Sequence, residues 1–198
     1  MITFKNDNPS EPFVKLKKAY KFALENKQSE IQAILIASYS KEYEYVDARY
    51  VNLKIIDNDN FIFFSNYNSP KSKQFKSHDQ ISAVLYWQSI NTQIRMKANI
   101  SKTSKSFSDQ YFAKRAKEKN ALAISSDQSR KIKDYKKVKQ NFYDALKNSI
   151  LNERPEYWGG YRFKPYYFEF WEGHEMRLNK RVSYERDNEN WIKSCLQP

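Results

Sequence analysis

Apolar positions recur along the chain with two different periods. From Ser10 to Lys27 they fall at Phe13, Leu16, Tyr20, Ala23 and Leu24, the spacing of an amphipathic helix. Ser10 is a cap-type residue, and Pro12 stands in the first turn, where its missing N–H is not needed. Residues 31–38, IQAILIAS, are a short apolar run with β-branched content and predict a buried strand. Over 47–56 the pattern changes to alternation. Arg49, Val51, Leu53 and Ile55 point one way; Tyr50, Asn52 and Lys54 point the other. The DNDN at 57–60 is turn chemistry and FIFFS at 61–65 is a returning strand, so 47–65 is predicted as a hairpin.

A short helix is predicted over 69–78 with Ser69 as its cap, followed by strands over 81–88 and 92–103. Helical segments come next, over 108–119 and 134–150. The second gathers Tyr135, Val138, Phe142, Ala145 and Leu146 on one apolar face. Strands return over 161–173, 182–188 and 189–196, the last two as a hairpin. There is no internal repeat and no low-complexity linker, and 198 residues suit one domain. Antiparallel strands with interspersed helices predict an α+β, barrel-like domain. Along it, 1–30 is an N-terminal segment and helix, 31–104 barrel strands, 105–150 helices and 155–198 C-terminal strands.

Composition narrows the function. Apolar residues make up 40% and aromatics 16%, which describes a folded chain with an aromatic core. The formal net charge is +12, but it is spread over short groups such as KLKK, KSKQFK and KIKDYKKVK. Spread lysines read as solvated faces rather than a nucleic-acid stripe. A pocket for a phosphorylated small molecule would need only a few of them. Cys195 is the only cysteine, so an intrachain disulfide and a Cys-based metal cluster are both excluded. It is expected to pack in the core. No apolar run has transmembrane length and MITFKNDNPSEPF has no hydrophobic signal core, so the chain reads as soluble and cytoplasmic.

Side-chain chemistry is sparse. His78 and His174 have no metal-ligand spacing and read as loop residues, and no metal is expected. Trp87 and Trp191 read as core or interface aromatics. There is no GxSxG elbow and no phosphate loop of the GxxxxGK[ST] type. If the protein is an enzyme, a cofactor should carry the chemistry. The phosphate-binding residue types cluster at strand ends and helix starts: Arg49, Lys54, Ser65, Ser69, Lys71, Arg115 with Tyr111, Gln128 and Ser129. Two separate anion sites would use them. The three glycines, Gly159, Gly160 and Gly173, all lie in WGGYRFKPYYFEFWEGHEMRLNKR, where they could supply positive φ or close backbone approach.

The order RYVNLK, FFSNYNSPKSKQF, YW…TQIR, YFAKR, SSDQS and WGGYR…FEFWEG…RLNKR resembles the pyridoxamine/pyridoxine 5′-phosphate oxidase family over nearly the whole chain. The resemblance implies a split β-barrel, a homodimer and FMN at the subunit interface. It implies oxidation of pyridoxine or pyridoxamine 5′-phosphate to pyridoxal 5′-phosphate, with dioxygen as acceptor and hydrogen peroxide as by-product. Position by position, Arg49, Tyr50, Val51, Asn52, Leu53 and Lys54 match the family's flavin strand, with Arg49 on the FMN phosphate. Phe64, Ser65, Lys71, Gln93, Gln128, Ser129, Trp171 and Arg181 match further flavin contacts. Arg181 would stand near flavin N1–C2. Lys54, Tyr111, Arg115 and Lys119 match the site of the vitamer phosphate. Arg177 and Asn179 are the catalytic candidates beside the substrate ring, and Gly173 would turn the chain so that Arg177 faces it.

Three positions depart from the family pattern: Pro70 for an arginine, Lys119 for a serine, and Asn179 for the histidine of an RLH motif. Two of the three touch the vitamer, so a related FMN-dependent oxidase of another ring, such as a phenazine precursor, is the alternative. A flavin-free nucleic-acid binder using the net positive charge is a more distant one.

Overall fold

Ten strands and five helices make up the computed structural model, which describes residues 1–198. In chain order they are β1 (Thr3–Lys5), α1 (Glu11–Glu25), β2 (Ala33–Ser40), β3 (Tyr45–Asn52), β4 (Ile55–Asp57), β5 (Asn60–Asn66), α2 (Pro70–Ser77), β6 (Gln80–Trp87), β7 (Thr92–Lys102), α3 (Lys105–Ala113), α4 (Lys117–Ser125), α5 (Tyr135–Asn148), β8 (Trp158–Glu172), β9 (Lys180–Asp187) and β10 (Asn190–Leu196). The α+β class holds. The strands form one sheet in the order β1-β4-β5-β8-β7-β6-β2-β3, with β9 and β10 attached through β8. The sheet is not closed on itself: β1 and β3 are the ends of its path.

The long strand β8 organises this sheet. One edge pairs with β7 from Tyr161 to Glu172. The other edge pairs with β5 over Trp158–Phe163 and with β9 over Tyr167–Glu172. Pro165 falls at the hand-over between β5 and β9, beside the register shift opposite Lys97 and Ala98. Proline has no ladder N–H to donate, so an irregular stretch is where a strand tolerates it. α1 buries Phe13, Leu16 and Tyr20 against the sheet. Phe13 meets Phe168 edge-on at 5.2 Å, and Phe61 stacks on Phe163 at 5.1 Å. Each such side chain contributes about 1.5–3 kcal/mol through burial. Trp87 is buried with its indole N–H on the Ile31 carbonyl. Trp191 is half-buried against Phe13 and Phe168.

Four expectations change. The predicted 47–65 hairpin is two separate pairings. β3 pairs with β2, whereas β4 and β5 form a hairpin through the DNDN turn. The switch falls at Leu53 and Lys54, whose amides go to Gln32 O and Ile62 O respectively. Alternation fixes which face a residue takes, not which strand it joins. The predicted 108–119 helix is broken at Lys114–Ala116 into α3 and α4. There the Asn120 side chain donates to the Phe112 carbonyl at 2.9 Å, ending α3, while Ala116 turns extended. On α5, Val138, Phe142, Ala145 and Leu146 face inward but Tyr135 is exposed. Cys195 is exposed on β10, which pairs only with β9. β1, three residues pairing parallel to β4, is too short to show a pattern in sequence.

Candidate functional site

A cleft of about 450 Å³ opens between β3, the end of β5, the start of α2, α3 and the loop after α4. Arg49, Tyr50, Val51, Asn52 and Lys54 line it along β3 and its exit. Phe64 and Ser65 come from β5, Lys71 from α2, Tyr111 from α3, Arg115 from the break after it, and Gln128 and Ser129 from the following loop. Twelve sequence-predicted site residues therefore share one cleft. Asp47 and Pro70 complete its lining.

One set of cations is Arg49 and Lys71. Lys71 is buried, and its ammonium donates to Ser65 Oγ at 3.0 Å and Ser69 Oγ at 3.1 Å, with no carboxylate on it. Burial, reinforced by the Arg49 charge, pulls its pKa down from 10.5 to about 8. Ser69 stands at the N-cap of α2, but its hydroxyl does not cap the helix; it turns to the Asn66 carbonyl and to Lys71. Gln128 accepts from Ser65 Oγ and the Asn66 amide, both at 3.3 Å, and Ser129 beside it holds a left-handed φ of 70°. Arg49 is fixed by Ser38 Oγ, the Ile36 carbonyl, Gln74 Oε1 and Asp47 Oδ2. Sequence reasoning missed these partners. Asp47 lies two residues before Arg49 on the same strand face, so alternation could have revealed it. Ser38 and Gln74 arrive from distant elements and left no such signal.

The second set is Lys54 and Arg115, with Lys119 near. Burial depresses the Lys54 pKa, and the charges of Lys119 and Arg115 depress it further. Burial also lowers that of Arg115 and raises that of Tyr111. Phe64 stacks on Tyr111 at 3.6 Å and on Trp158 at 5.3 Å, and the Arg115 guanidinium lies 4.7 Å above the Trp158 ring. Arg115 also donates to the Lys119 carbonyl and Asn120 Oδ1. Lys119 itself is exposed and does not line the cleft; Leu53 is fully buried in the core.

Behind the cleft lie two glycines. Gly159 and Gly160 are within β8, directly across from Ser65 and Phe64. Neither has positive φ, so of the two roles expected, it is close backbone approach that applies. A Cβ on Gly159 would sit 2.2 Å from Tyr67 Oη, and one on Gly160 would sit 2.5 Å from Thr103 Oγ1. The turn expected at Gly173 falls elsewhere: Arg177 carries the left-handed φ, 60°, while the Gly173 amide donates to Asn91 O.

Besides Leu53 and Lys119, five predicted residues do not line this cleft: Gln93, Trp171, Arg177, Asn179 and Arg181. Gln93, Trp171 and Arg181 are direct cross-strand partners on β7, β8 and β9, forming one row. Arg181 is held by buried Glu169 at 2.9 and 3.0 Å, and Glu169 also accepts from Arg95 and Tyr167. Arg177 is exposed in the loop between β8 and β9. Asn179 accepts from the His174 amide at 3.1 Å, bracing that loop. His78 follows α2, edge-on to Tyr39.

The fold and cleft together define an α+β protein whose open sheet borders a cation-lined cleft. Residues 16–145 match the family described as pyridoxamine 5′-phosphate oxidase, and residues 158–198 match the pyridoxine 5′-phosphate oxidase C-terminal dimerisation region. Among similar proteins is a pyridoxine/pyridoxamine 5′-phosphate oxidase of Leptospira interrogans serogroup Icterohaemorrhagiae, 32% identical over 97% of this chain and 91% of that one. Another, from Gloeothece citriformis, is 35% identical over 100% of this chain and 92% of that one. Among solved structures, PhzG from Burkholderia lata 383, in complex with tetrahydrophenazine-1-carboxylic acid, superposes with a TM-score of 0.89 at 28% identity, covering 97% of this chain and 95% of that one. A pyridoxamine 5′-phosphate oxidase-related, FMN binding protein from Nostoc punctiforme shares the fold, with a TM-score of 0.74 at 14% identity over 92% of this chain and 96% of that one. The chain belongs to the pyridoxine/pyridoxamine 5′-phosphate oxidase family. No helix is long and apolar enough to cross a membrane.

Proposed function

We propose that the protein is an FMN-dependent oxidase converting pyridoxine or pyridoxamine 5′-phosphate to pyridoxal 5′-phosphate. Dioxygen is the acceptor and hydrogen peroxide the by-product; with the amine substrate, water is also consumed and ammonia released. The observation that carries this reading is the pairing, in one cleft, of two cation sets without a carboxylate on either lysine. Lys71 is the test of fit for the cofactor: a buried ammonium held only by hydroxyls suits a phosphate. Arg49, Lys71, Ser65, Gln128 and Ser129 would hold the FMN tail. Lys54, Tyr111 and Arg115, with Lys119 adding charge, would hold the vitamer phosphate.

Bound FMN would supply a two-electron acceptor for oxidation at C4′, reoxidised by dioxygen. The chain's part is orientation. Cations fix the phosphates, and Phe64, Tyr111 and Trp158 make a stacked wall that excludes water. The row of Gln93, Trp171 and Arg181, with Arg177 and Asn179, would serve the cleft of a second copy. The match to a dimerisation region supports that homodimer. A second reading follows from the likeness to PhzG: a ring substrate of the phenazine-precursor type.

Anaerobic titration of the FMN-loaded protein decides between them. Bleaching of oxidised flavin by either phosphorylated vitamer, reversed by air with pyridoxal 5′-phosphate formed, supports the oxidase. Bound flavin that neither vitamer reduces, but a reduced phenazine carboxylate does, moves the activity to the second reading.

A further inference from the structure

We propose that Asp47 sets the preference for phosphorylated over unphosphorylated flavin, by holding the Arg49 fork in competition with the incoming phosphate. The inference rests on the reading that Arg49 and Lys71 receive the FMN phosphate. Arg49 has four acceptors. Nη1 donates to Ser38 Oγ at 2.6 Å and to the Ile36 carbonyl at 3.3 Å; Nη2 donates to Gln74 Oε1 at 2.8 Å and to Asp47 Oδ2 at 2.6 Å. Three of the four are neutral, and Ser38 and Gln74 are buried. Asp47 alone is charged, and its side chain is 43% exposed, so it alone can swing into water.

Asp47 also lines the cleft beside Lys71. Of the two cations at this end, one therefore already carries a carboxylate, and the formal charge facing a phosphate falls from +2 to +1. Pro70, lining the same cleft, adds no cation to offset this. A phosphate entering here must displace the carboxylate from the guanidinium or lie against it, and like charges at that range repel. Riboflavin has no phosphate and meets neither penalty. Asp47 should thus act on the ratio of FMN to riboflavin affinity and leave the ring's own binding unchanged. Removing its charge does not unseat Arg49, because the buried acceptors stay.

The test is the Kd of FMN and of riboflavin for the full chain freed of flavin, read by flavin fluorescence, in the wild type and in Asp47→Asn, Asp47→Ser and Asp47→Glu. Neutralising Asp47 should tighten FMN roughly ten-fold, the scale of one partly solvated charge beside a phosphate, with riboflavin unmoved. Asp47→Glu, which keeps the charge, should retain the wild-type ratio. An unchanged ratio in both neutral variants overturns the proposal. So does weaker FMN binding, which would make Asp47 a residue that orients Arg49. If neither wild type nor Asp47→Asn binds FMN, the cofactor reading fails and takes this proposal with it. FMN bound normally with an unaltered ratio sinks this proposal alone.

Discussion

Replacing Lys71 by methionine should stabilise the flavin-free protein while weakening its hold on FMN. The ammonium is buried among hydroxyls with no counter-ion, and its pKa falls from 10.5 to about 8. At ~1.36 kcal/mol per pKa unit, keeping this lysine charged costs the fold roughly 3 kcal/mol at pH 7. Methionine has nearly the same length and no charge. It forfeits two hydrogen bonds to serines, worth about 1 kcal/mol each at most, and those hydroxyls keep the Asn66 carbonyl and Gln128 as partners. The net gain expected at pH 7 is about 1–2 kcal/mol.

The pH profile carries the sharper signature. A lysine with a depressed pKa binds fewer protons folded than unfolded between pH 8 and 10.5, so wild-type stability should rise with pH across that window. Below pH 8 both states are charged and the penalty is constant. Urea unfolding of flavin-free protein at pH 7, 8.5 and 10 measures the slope, and Lys71→Met should remove this part of it. In the same window FMN binding to the wild type should take up a proton, because a phosphate restores the charged lysine. A variant less stable than wild type at pH 7, or one with an identical slope, would refute the reasoning.

Three further outcomes follow. Arg115→Gln should raise KM for pyridoxine 5′-phosphate by ~10-fold or more, the loss of a charge-assisted contact, while FMN affinity measured by fluorescence stays level. Gly160→Ala should lower the unfolding free energy by roughly 2 kcal/mol, because its Cβ would meet the β-branched Thr103 at 2.5 Å; thermal melting checks this, and a matched Thr103→Ser background should recover part of it. Glu169→Ala should cost roughly 2 kcal/mol in urea unfolding by leaving Arg95 and Arg181 without their shared carboxylate, with Glu169→Gln intermediate.

Much of the cleft was legible because its residues sit where local pattern is strong. Arg49 and Val51 fall on the inner side of β3, Tyr50 and Asn52 on the outer, as period-two alternation requires. Ser69 marked the start of α2 by position, though its hydroxyl does not cap the helix. What stayed hidden is long-range. Strand partnership at Leu53–Lys54 is decided by two amides reaching Gln32 and Ile62; Ile62 is local, but no window of ten residues contains both Leu53 and Gln32. The break between α3 and α4 depends on Asn120 reaching back to Phe112, an unremarkable asparagine in sequence.

The same distinction separates the glycines from the cations. In sequence, Gly159 and Gly160 left positive φ and close backbone approach both open; both lie in regular strand without positive φ. Their absent side chains let Tyr67, Thr103 and Ser108 close on the strand directly behind Phe64 and Ser65. Packing of that wall fixes the stacked Phe64–Tyr111 pair, and the pair sets where Arg115 can stand over Trp158. The chain thus positions its second cation set through apolar contacts made by residues that carry no charge. The first set is positioned by hydrogen bonds to buried serines and a glutamine. Substitutions in the wall should therefore disturb the Lys54–Arg115 end while leaving Arg49 and Lys71 in place. Gly160→Ala provides that comparison in one protein, since KM for the vitamer and Kd for FMN report on the two ends separately.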